Sequence, residues 1–521
     1  MKLYIDIDGV LLNYDSDSRA DNAIELIDYI TSEFDCYWLT THCKGDAGPA
    51  IAYLSRYFPE ETVQKLVKIK PTCWEDMKTE GIDFDSSFIW LDDYPFQAEE
   101  AVLRHFGASE SLIKVNLKNE GELLRVLGVL KDIKKRKRDR IKRMLYIIVG
   151  LILAFVLGKA IWMNVSNRSL GDFVSEKEDI LQRRNYLINQ VITNPSDLIA
   201  KMPEAVGSQF QGEWALYSAS MLTAALTNIS MIYPETRREA AKCIDQLIKI
   251  VMSPELRRYD FQRWGEDPLE TLDGDVSHIS YLSHLAWMIS GYCYTCSDGK
   301  YDWLFSKLCE TMNRRILLSP NLNLPTYPGE YIYVPDMMVA IVALANYSRL
   351  NRGEYWQTVY TWLDEMQSNW TDEKTGLVMS MIDEDDALPL PVKGSYSALN
   401  SYYLTFIDED YAREQYDRLK DNFLQTKPIA GFREYFDERC LFGFDIDAGP
   451  ILFNLSPTGT AFGIGPATFF QDREVRNAFL QTAELAGFSV NKSDQRHYLL
   501  ANVALVGEAI TLAMRTAVKW E

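Results

Sequence analysis

The sequence predicts a multidomain chain: a Rossmann-like α/β domain, one transmembrane helix, and an all-α C-terminal domain. Three observations carry this prediction. Within the first hundred residues, the apolar stretches KLYI, CYWL and FIWL each run into polar residues, as buried strands of a parallel sheet do at their carboxyl ends. Met144 to Met163 (MLYIIVGLILAFVLGKAIWM) has no charge before Lys159, and a dense basic tract precedes it. From about Asp172 onward, apolar residues recur at spacings of three and four between Pro, Gly and Asn punctuation, the signature of successive amphipathic helices.

At 521 residues the chain exceeds one ordinary core. With 47% hydrophobic residues, 12 Trp and 29 Tyr, it has ample bulk to bury, which excludes a largely disordered chain. A net charge of -20 excludes a general nucleic-acid binder, because phosphate backbones are held by surplus Lys and Arg. The expected divisions are a domain over 1–128, a basic segment over 129–143, a span over 144–165, a linker with a helix over 166–204, and a helical domain over 205–521.

Lys131 to Arg143, KDIKKRKRDRIKR, holds nine basic residues against Asp132 and Asp139. Next to it, about 20 apolar residues rising 1.5 Å each are enough to cross a hydrocarbon core of ~30 Å. Basic residues favour the cytoplasmic side, so the N-terminus is expected in the cytoplasm and the chain beyond about Val165 outside it, as a single-pass membrane protein. No cleavable signal peptide is expected, since Met1 opens into a strand-like segment. Five cysteines follow the span (Cys243, Cys293, Cys296, Cys309, Cys440), and an odd set without paired metal-ligand spacing predicts neither a disulfide framework nor a zinc site.

Asp6 and Asp8 end the first strand, one residue apart, and Gly9 supplies the turn. In an open α/β sheet they would project into the crevice at the strand ends. Thr40 and Thr41 end the second strand, Lys70 and Lys78 precede the third, and Asp92 and Asp93 end it. A carboxylate attacking a phosphomonoester meets a dianion, so a cation and a lysine must offset charge while in-line geometry is held. Hard carboxylate oxygens suit Mg²⁺.

These motifs, in this order, resemble the haloacid dehalogenase superfamily. The resemblance implies Asp6 as nucleophile, Asp8 as the acid that protonates the leaving oxygen, Thr40 holding phosphoryl oxygens, and Lys78 or Lys70 neutralising charge. It also implies Mg²⁺ held by Asp6, Asp8, Asp92 and Asp93. The run from WLTTHC through MKT to FIWLDD is most similar to the compact domains of this type in RNA repair proteins, over about residues 1–110. That implies a phosphorylated substrate, either a small molecule or a nucleic-acid end. No GxxxxGK[ST] kinase signature accompanies it. About thirty residues separate Asp8 from Thr40, too few for a large cap, so an open site is expected.

In the C-terminal part, about eleven or twelve helical units without a fixed 34-residue period predict an (α/α)6 toroid rather than a solenoid. Tyr327, Glu330 and Asp336 in one loop, and Asp445 and Asp447 in another, are candidates for a carboxylate pair of the kind that cleaves glycosidic bonds. His278 is a further candidate; His284, six residues on, lies on another side of the same helix. TYPGEY and DIDAGPILFNLSPTGTAFGIGPA resemble the loops of six-hairpin toroids, including the linalool dehydratase-isomerase group and glycosidase-like relatives. This implies a carbohydrate or lipid-like ligand, with lyase or glycosidase chemistry open. The alternative is a non-catalytic membrane sensor or scaffold, with a ligand-binding toroid and a phosphate-binding inner domain.

Overall fold

The computed structural model describes residues 1–14, 18–165, 172–203, 207–382, 392–436, 441–445, 447–502 and 504–521. The chain divides into two compact units, Met1–Phe155 and Val156–Glu521.

The first unit runs β1 (Lys2–Ile5), a hairpin of β2 (Leu12–Asn13) and β3 (Ser18–Arg19), α1 (Ala23–Glu33), β4 (Asp35–Trp38), α2 (Gly48–Leu54), α3 (Glu60–Leu66), β5 (Phe88–Asp92), α4 (Gln97–His105), β6 (Leu112–Lys114) and most of α5 (Glu122–Val165), whose last residues belong to the second unit. Four strands form a parallel sheet in the order β4-β1-β5-β6. Side chains alternate across a strand, so Leu3 and Ile5 enter one core with Leu26, Ile27 and Ile30, while Tyr4 enters a second with Trp90 and Leu103. Both faces are covered, as the apolar strand sequences require. From β1 the chain steps outward to β4, and from β5 outward the other way to β6. The crevice between β1 and β5 is therefore the topological switch point, where open α/β sheets bind ligands.

α5 is one helix of 44 residues, unbroken across the divisions expected at 128 and 143 because nothing in the basic tract stops a helix. Leu123, Val126 and Leu130 are buried in the sheet's core. Further along, Met144, Leu145, Tyr146 and Ile147 are each more than half exposed. Four successive residues make a full turn, so no face of the helix is covered there.

The second unit is an α/α toroid. Its helices are α6 (Lys177–Val191), α7 (Pro195–Ala200), α8 (Ser208–Ile232), α9 (Arg237–Val251), α10 (Pro254–Trp264), α11 (Ile279–Thr295), α12 (Asp302–Leu318), α13 (Val334–Leu350), α14 (Trp356–Asn369), α15 (Gly394–Leu404), α16 (Glu409–Phe423), α17 (Pro457–Phe469), α18 (Arg473–Gly487) and α19 (Leu505–Arg515). α8 packs on α11, α11 on α13, α13 on α15, α15 on α17, α17 on α19, and α19 returns to α8, closing a ring of six. Outside it, α6, α9, α12, α14, α16 and α18 each lie against members of that ring.

The sequences divide accordingly. Every residue of inner α11 except Cys293 is buried, whereas outer α9 buries Ala240, Cys243, Ile244, Leu247, Ile248 and Val251 at spacings of three and one. Among the described residues, Phe210–Ile232 of α8 is long and apolar enough to cross a membrane, with mean hydropathy 1.3, but it is 83% buried as an inner-ring helix. α17 approaches its neighbours closely through glycine: a Cβ on Gly465 would stand 2.5 Å from Met514 Sδ and 3.0 Å from the Tyr402 ring.

The stretch 166–204, expected as a linker with a helix, holds α6 and α7 among its described residues, with 166–171 and 204 outside the described set, and α6 lies on the outside of the ring. α6 packs on both α8 and α19. Glu176, at its start, accepts two hydrogen bonds from Arg476 of α18 (2.7 and 2.9 Å) and one from Arg515 Nε of α19 (2.7 Å). Arg515 also pairs with Asp179, and Arg183 of α6 reaches Glu508 of α19 at 2.8 Å. Burial alone would raise the Glu176 pKa, but the two guanidinium groups reverse that and hold it low. Glu176→Gln leaves two buried arginines short of a counter-charge and is expected to destabilise the toroid by about 3 to 5 kcal/mol. Denaturant titration followed by Trp fluorescence checks this; an unchanged midpoint would overturn it.

Candidate functional site

At the switch point, Asp6 follows β1 and Asp92 ends β5. Both are buried, and with Asp93 they present carboxylate oxygens all within 4.8 Å of one another. Lys78 is held in place by Glu99, a buried acid on α4 that accepts the Lys78 backbone N–H at 2.7 Å and the Phe96 N–H at 2.8 Å. Its ammonium donates to Asp6 Oδ2 and Asp92 Oδ2, each at 2.5 Å. The Ile7 N–H fixes the other Asp6 oxygen at 2.7 Å. Desolvation, and then the Asp6 charge, push Asp92 up to about 7, and the same two causes raise Asp93. Three converging carboxylates against one lysine leave an excess of negative charge on hard oxygen donors, which fits a divalent cation such as Mg²⁺.

The remaining sequence candidates fall into place around this group. Thr40 is wholly buried at the end of β4. Asp8 stands apart from the group of three: its carboxylate meets His42 Nε2 at 2.8 Å, and His42 stacks on Tyr53 with ring centroids 4.3 Å apart. Of the four aspartates expected to hold a metal, Asp6, Asp92 and Asp93 form this group among the described residues, and Asp8 is engaged by His42. Lys70 is corrected too. It bridges to Tyr37 in register with β4, and its ammonium pairs with Asp35, at the start of that strand, at 2.7 Å. Its backbone lies beside Tyr37 near the end of β4, and the ion pair takes its ammonium to Asp35 at the start of the strand.

Two features escaped the sequence reading. Tyr14, beside the β2–β3 hairpin, has its ring next to Gly9 and Asp93, and desolvation and the fields of Asp93, Asp6 and Asp8 push its pKa up to about 12. Gly9 does more than turn the chain. Its φ is +73°, and a Cβ there would lie 2.3 Å from the Asp93 carboxyl carbon.

A second group sits in the toroid, where inner helices begin. Glu213 and Tyr217 of α8, Asp336 of α13, Tyr396 of α15, Tyr327 and Asp447 share one electrostatic neighbourhood. Asp336 accepts from Tyr217 Oη at 3.1 Å and Thr326 Oγ1 at 3.0 Å. Tyr327 reaches Ser280 at 3.3 Å and lies under Arg263, which pairs at the rim with Glu330 at 2.7 Å.

Glu213 Oε2 is buried with no hydrogen-bond partner among the described residues. Desolvation, then the Asp336 charge, push Glu213 up to about 8, and desolvation pushes Asp336 up to about 6. Asp445 and Asp447 part company: desolvation raises Asp447, whereas Lys393, 2.8 Å from Asp445, outweighs burial and holds Asp445 low.

Of the candidates, Tyr327, Asp336 and Asp447 converge, with Glu330 and Asp445 in ion pairs beside them. His278 belongs to a different group. It is wholly buried at the start of α11, 2.5 Å from Asp260 and 3.4 Å from Glu266. A recess of 440 Å³ around α14 and α16, lined by Gln367, Asp408, Glu414 and Arg418 among others, holds none of the candidates.

No family model matches the chain, and no curated protein matches it. Among solved structures it is similar to a family 105 glycoside hydrolase of C. acetobutylicum ATCC 824, at 11% identity and a TM-score of 0.41, over 57% of this chain and 92% of that one. It is also similar to a polysaccharide lyase, at 12% identity and a TM-score of 0.35, over 56% of this chain and 89% of that one. The toroid assignment rests on the helix packing described above.

The close approach at Gly9 has a measurable consequence. Gly9→Ala forces Asp93 aside, and if the three carboxylates hold a divalent cation its binding is expected to weaken roughly tenfold or more. Calorimetric titration with Mg²⁺ reads it, and unchanged affinity would show that Asp93 takes no part.

Proposed function

We propose that the first unit is a Mg²⁺-dependent phosphohydrolase of the haloacid dehalogenase type, working on the cytoplasmic face of a membrane that α5 crosses, with the toroid on the far side. The observation that carries the enzymatic reading is Lys78, 2.5 Å from both Asp6 and Asp92 at the switch point. The span is supported by the uncovered apolar turns after Met144 and by the basic tract before them.

In this reading Asp6 attacks phosphorus, an aspartyl phosphate forms as the bond to the leaving oxygen breaks, and Asp8 gives that oxygen its proton. Water then attacks the phosphoryl group, Asp8 takes the proton back, and phosphate leaves Asp6 free. Lys78 offsets the charge of nucleophile and phosphoryl group, the Thr40 hydroxyl donates to a phosphoryl oxygen, and His42 orients Asp8. Asp6, Asp92 and Asp93 would hold Mg²⁺, which supplies Lewis-acid neutralisation of phosphoryl charge. Between Asp8 and Thr40 the described residues form only β2, β3, α1 and β4, which leaves room for a bulky phosphomonoester such as a nucleic-acid end.

Inside-out membrane vesicles are expected to hydrolyse an impermeant aryl phosphate with Mg²⁺, and Asp6→Asn to lower the rate by about 10³-fold or more. Sealed right-side-out vesicles should stay silent until permeabilised. No turnover on any phosphoester would sink the phosphohydrolase, and activity in intact right-side-out vesicles would reverse the orientation.

In this proposal the toroid carries a second activity, through Glu213 and Asp336. A carboxyl raised to about 8 keeps its proton at neutral pH and can serve as an acid, while one raised to about 6 is ionised there and can serve as a base. The partly exposed rings of Tyr217 and Tyr396 are suited to a carbohydrate. Cleavage of such a ligand is expected to be bell-shaped in pH, rising through about 6 as the base ionises and falling through about 8 as the acid loses its proton. Glu213→Gln should abolish the turnover. A profile whose alkaline limb survives in Glu213→Gln would show that another group is the acid.

A further inference from the structure

Asp8 sits close to the acid cluster of the first unit without belonging to it. It is two residues from Asp6, and the next residue, Gly9, lies so near Asp93 that a Cβ there would stand 2.3 Å from the Asp93 carboxyl carbon. Tyr14, whose ring adjoins Gly9 and Asp93, lies in the fields of Asp93, Asp6 and Asp8 together. Lys78 serves Asp6 and Asp92. Among the described residues the one hydrogen-bond partner of the Asp8 carboxylate is His42, whose Nε2 lies 2.8 Å from Oδ2. An ionised carboxylate only accepts, so the imidazole is the donor.

The imidazole is itself held. His42 stacks on Tyr53 with ring centroids 4.3 Å apart and planes 13° from parallel. Tyr53 lies near the end of α2, packs against the core that contains Leu3 and Ile5, and meets Tyr57 edge-on at 5.6 Å. The plane of His42 is therefore set by a side chain rooted in the fold. Charge gives this brace its significance. Asp6, Asp92 and Asp93 converge within 4.8 Å, and Lys78 offsets one of their three charges. A divalent cation balances the remaining two, and a fourth carboxylate only two residues along the chain is drawn to the same ion. The number of carboxylates then decides which ion is held best: Mg²⁺ keeps several waters and takes few carboxylates in octahedral geometry, whereas Ca²⁺ accepts about six to eight oxygens in flexible geometry.

We infer that His42, braced by Tyr53, holds the Asp8 carboxylate off the cation position and so keeps the site at three carboxylates, selecting Mg²⁺ against Ca²⁺. The inference rests on the reading of the first unit as a Mg²⁺-dependent phosphohydrolase. His42 is in this respect a positioning residue, acting through Asp8. The same restraint keeps Asp8 available to the leaving oxygen, since a carboxylate drawn into a metal's coordination has no proton to give.

The test is calorimetric titration of the full chain with Ca²⁺ and, separately, Mg²⁺, with Asp6→Asn/Asp92→Asn giving the background from acidic surfaces elsewhere. His42→Ala is expected to tighten Ca²⁺ binding roughly tenfold and to change Mg²⁺ binding by less. The His42 side chain is 30% exposed, so the substitution spares the core. His42→Asn keeps a donor for Asp8 and should return Ca²⁺ affinity toward that of the wild type. His42→Ala/Asp8→Asn should lose the gain, because the released carboxylate is gone. Calcium affinity unchanged or weaker in His42→Ala would overturn the inference and leave the metal site standing. A gain that survives Asp8→Asn would overturn it as well, since the added ligand would then not be Asp8. If the wild-type chain binds neither ion above background, the metal-dependent reading falls and the inference with it.

Discussion

The toroid depends on one joint. A ring of six helices must bring its last helix, α19, back to its first, α8, and outside that contact α18 and α19 are tied to the start of α6 through Arg476, Arg515 and Glu176. These groups are buried, so each charge is tolerable only because the others are present. Arg183 and Glu508 repeat the arrangement further along the same pair of helices. Apolar packing is non-directional and would allow neighbouring registers between α6 and α19. The directed contacts of Arg515 with Glu176 and Asp179, and the bidentate contact of Arg476 of α18 with Glu176, do not, so the joint selects one register from several that would bury similar area. Once it is set, the starts of α8, α13 and α15 are fixed relative to one another, and Glu213, Asp336 and Tyr396 face a common space.

The N-terminal unit solves a related problem with the opposite sign. Its sheet brings Asp6, Asp92 and Asp93 together at the switch point and supplies one lysine between them. Glu99 secures that lysine by its backbone rather than its ammonium, which leaves the charge free to serve both aspartates. The toroid's joint is a finished structure, neutralised from within. The acid cluster is left short of positive charge, and that difference separates a structural ion network from a site prepared for a cation.

Much of this was legible in the sequence where the signal was local. Asp6, Asp92 and Asp93 could be read because a strand end and a polar residue are adjacent in the chain. Lys70 and Lys78 could not be separated, since both precede β5 and only the ion pair with Asp35 takes the Lys70 ammonium to the start of β4. Glu330 and His278 looked like site residues because acids and imidazoles in loops suggest chemistry; one found Arg263 and the other a buried aspartate. Glu213 was passed over within an apolar helix. Yet it is the one charged residue in the 25 of α8, and Asp336 is the one acid in α13, so an isolated charge inside an otherwise apolar inner helix was the available signal. The helical ring was legible as a number of amphipathic units, but its closure was not, because Glu176 and Arg515 are 339 residues apart.

The placement of that closure has an evolutionary consequence. Glu213, Asp336 and Tyr396 lie near the starts of their helices, and Tyr327 and Asp447 lie in the segments that lead into the next ones, while the ring is locked by residues of α6, α18 and α19. Insertions and substitutions in the entry loops can therefore accumulate without touching the ion network that keeps the helices in register. A scaffold of this kind lets selection change what the site accepts while its framework stays the same, and distant relatives would be expected to share the ring long after they have ceased to share a ligand.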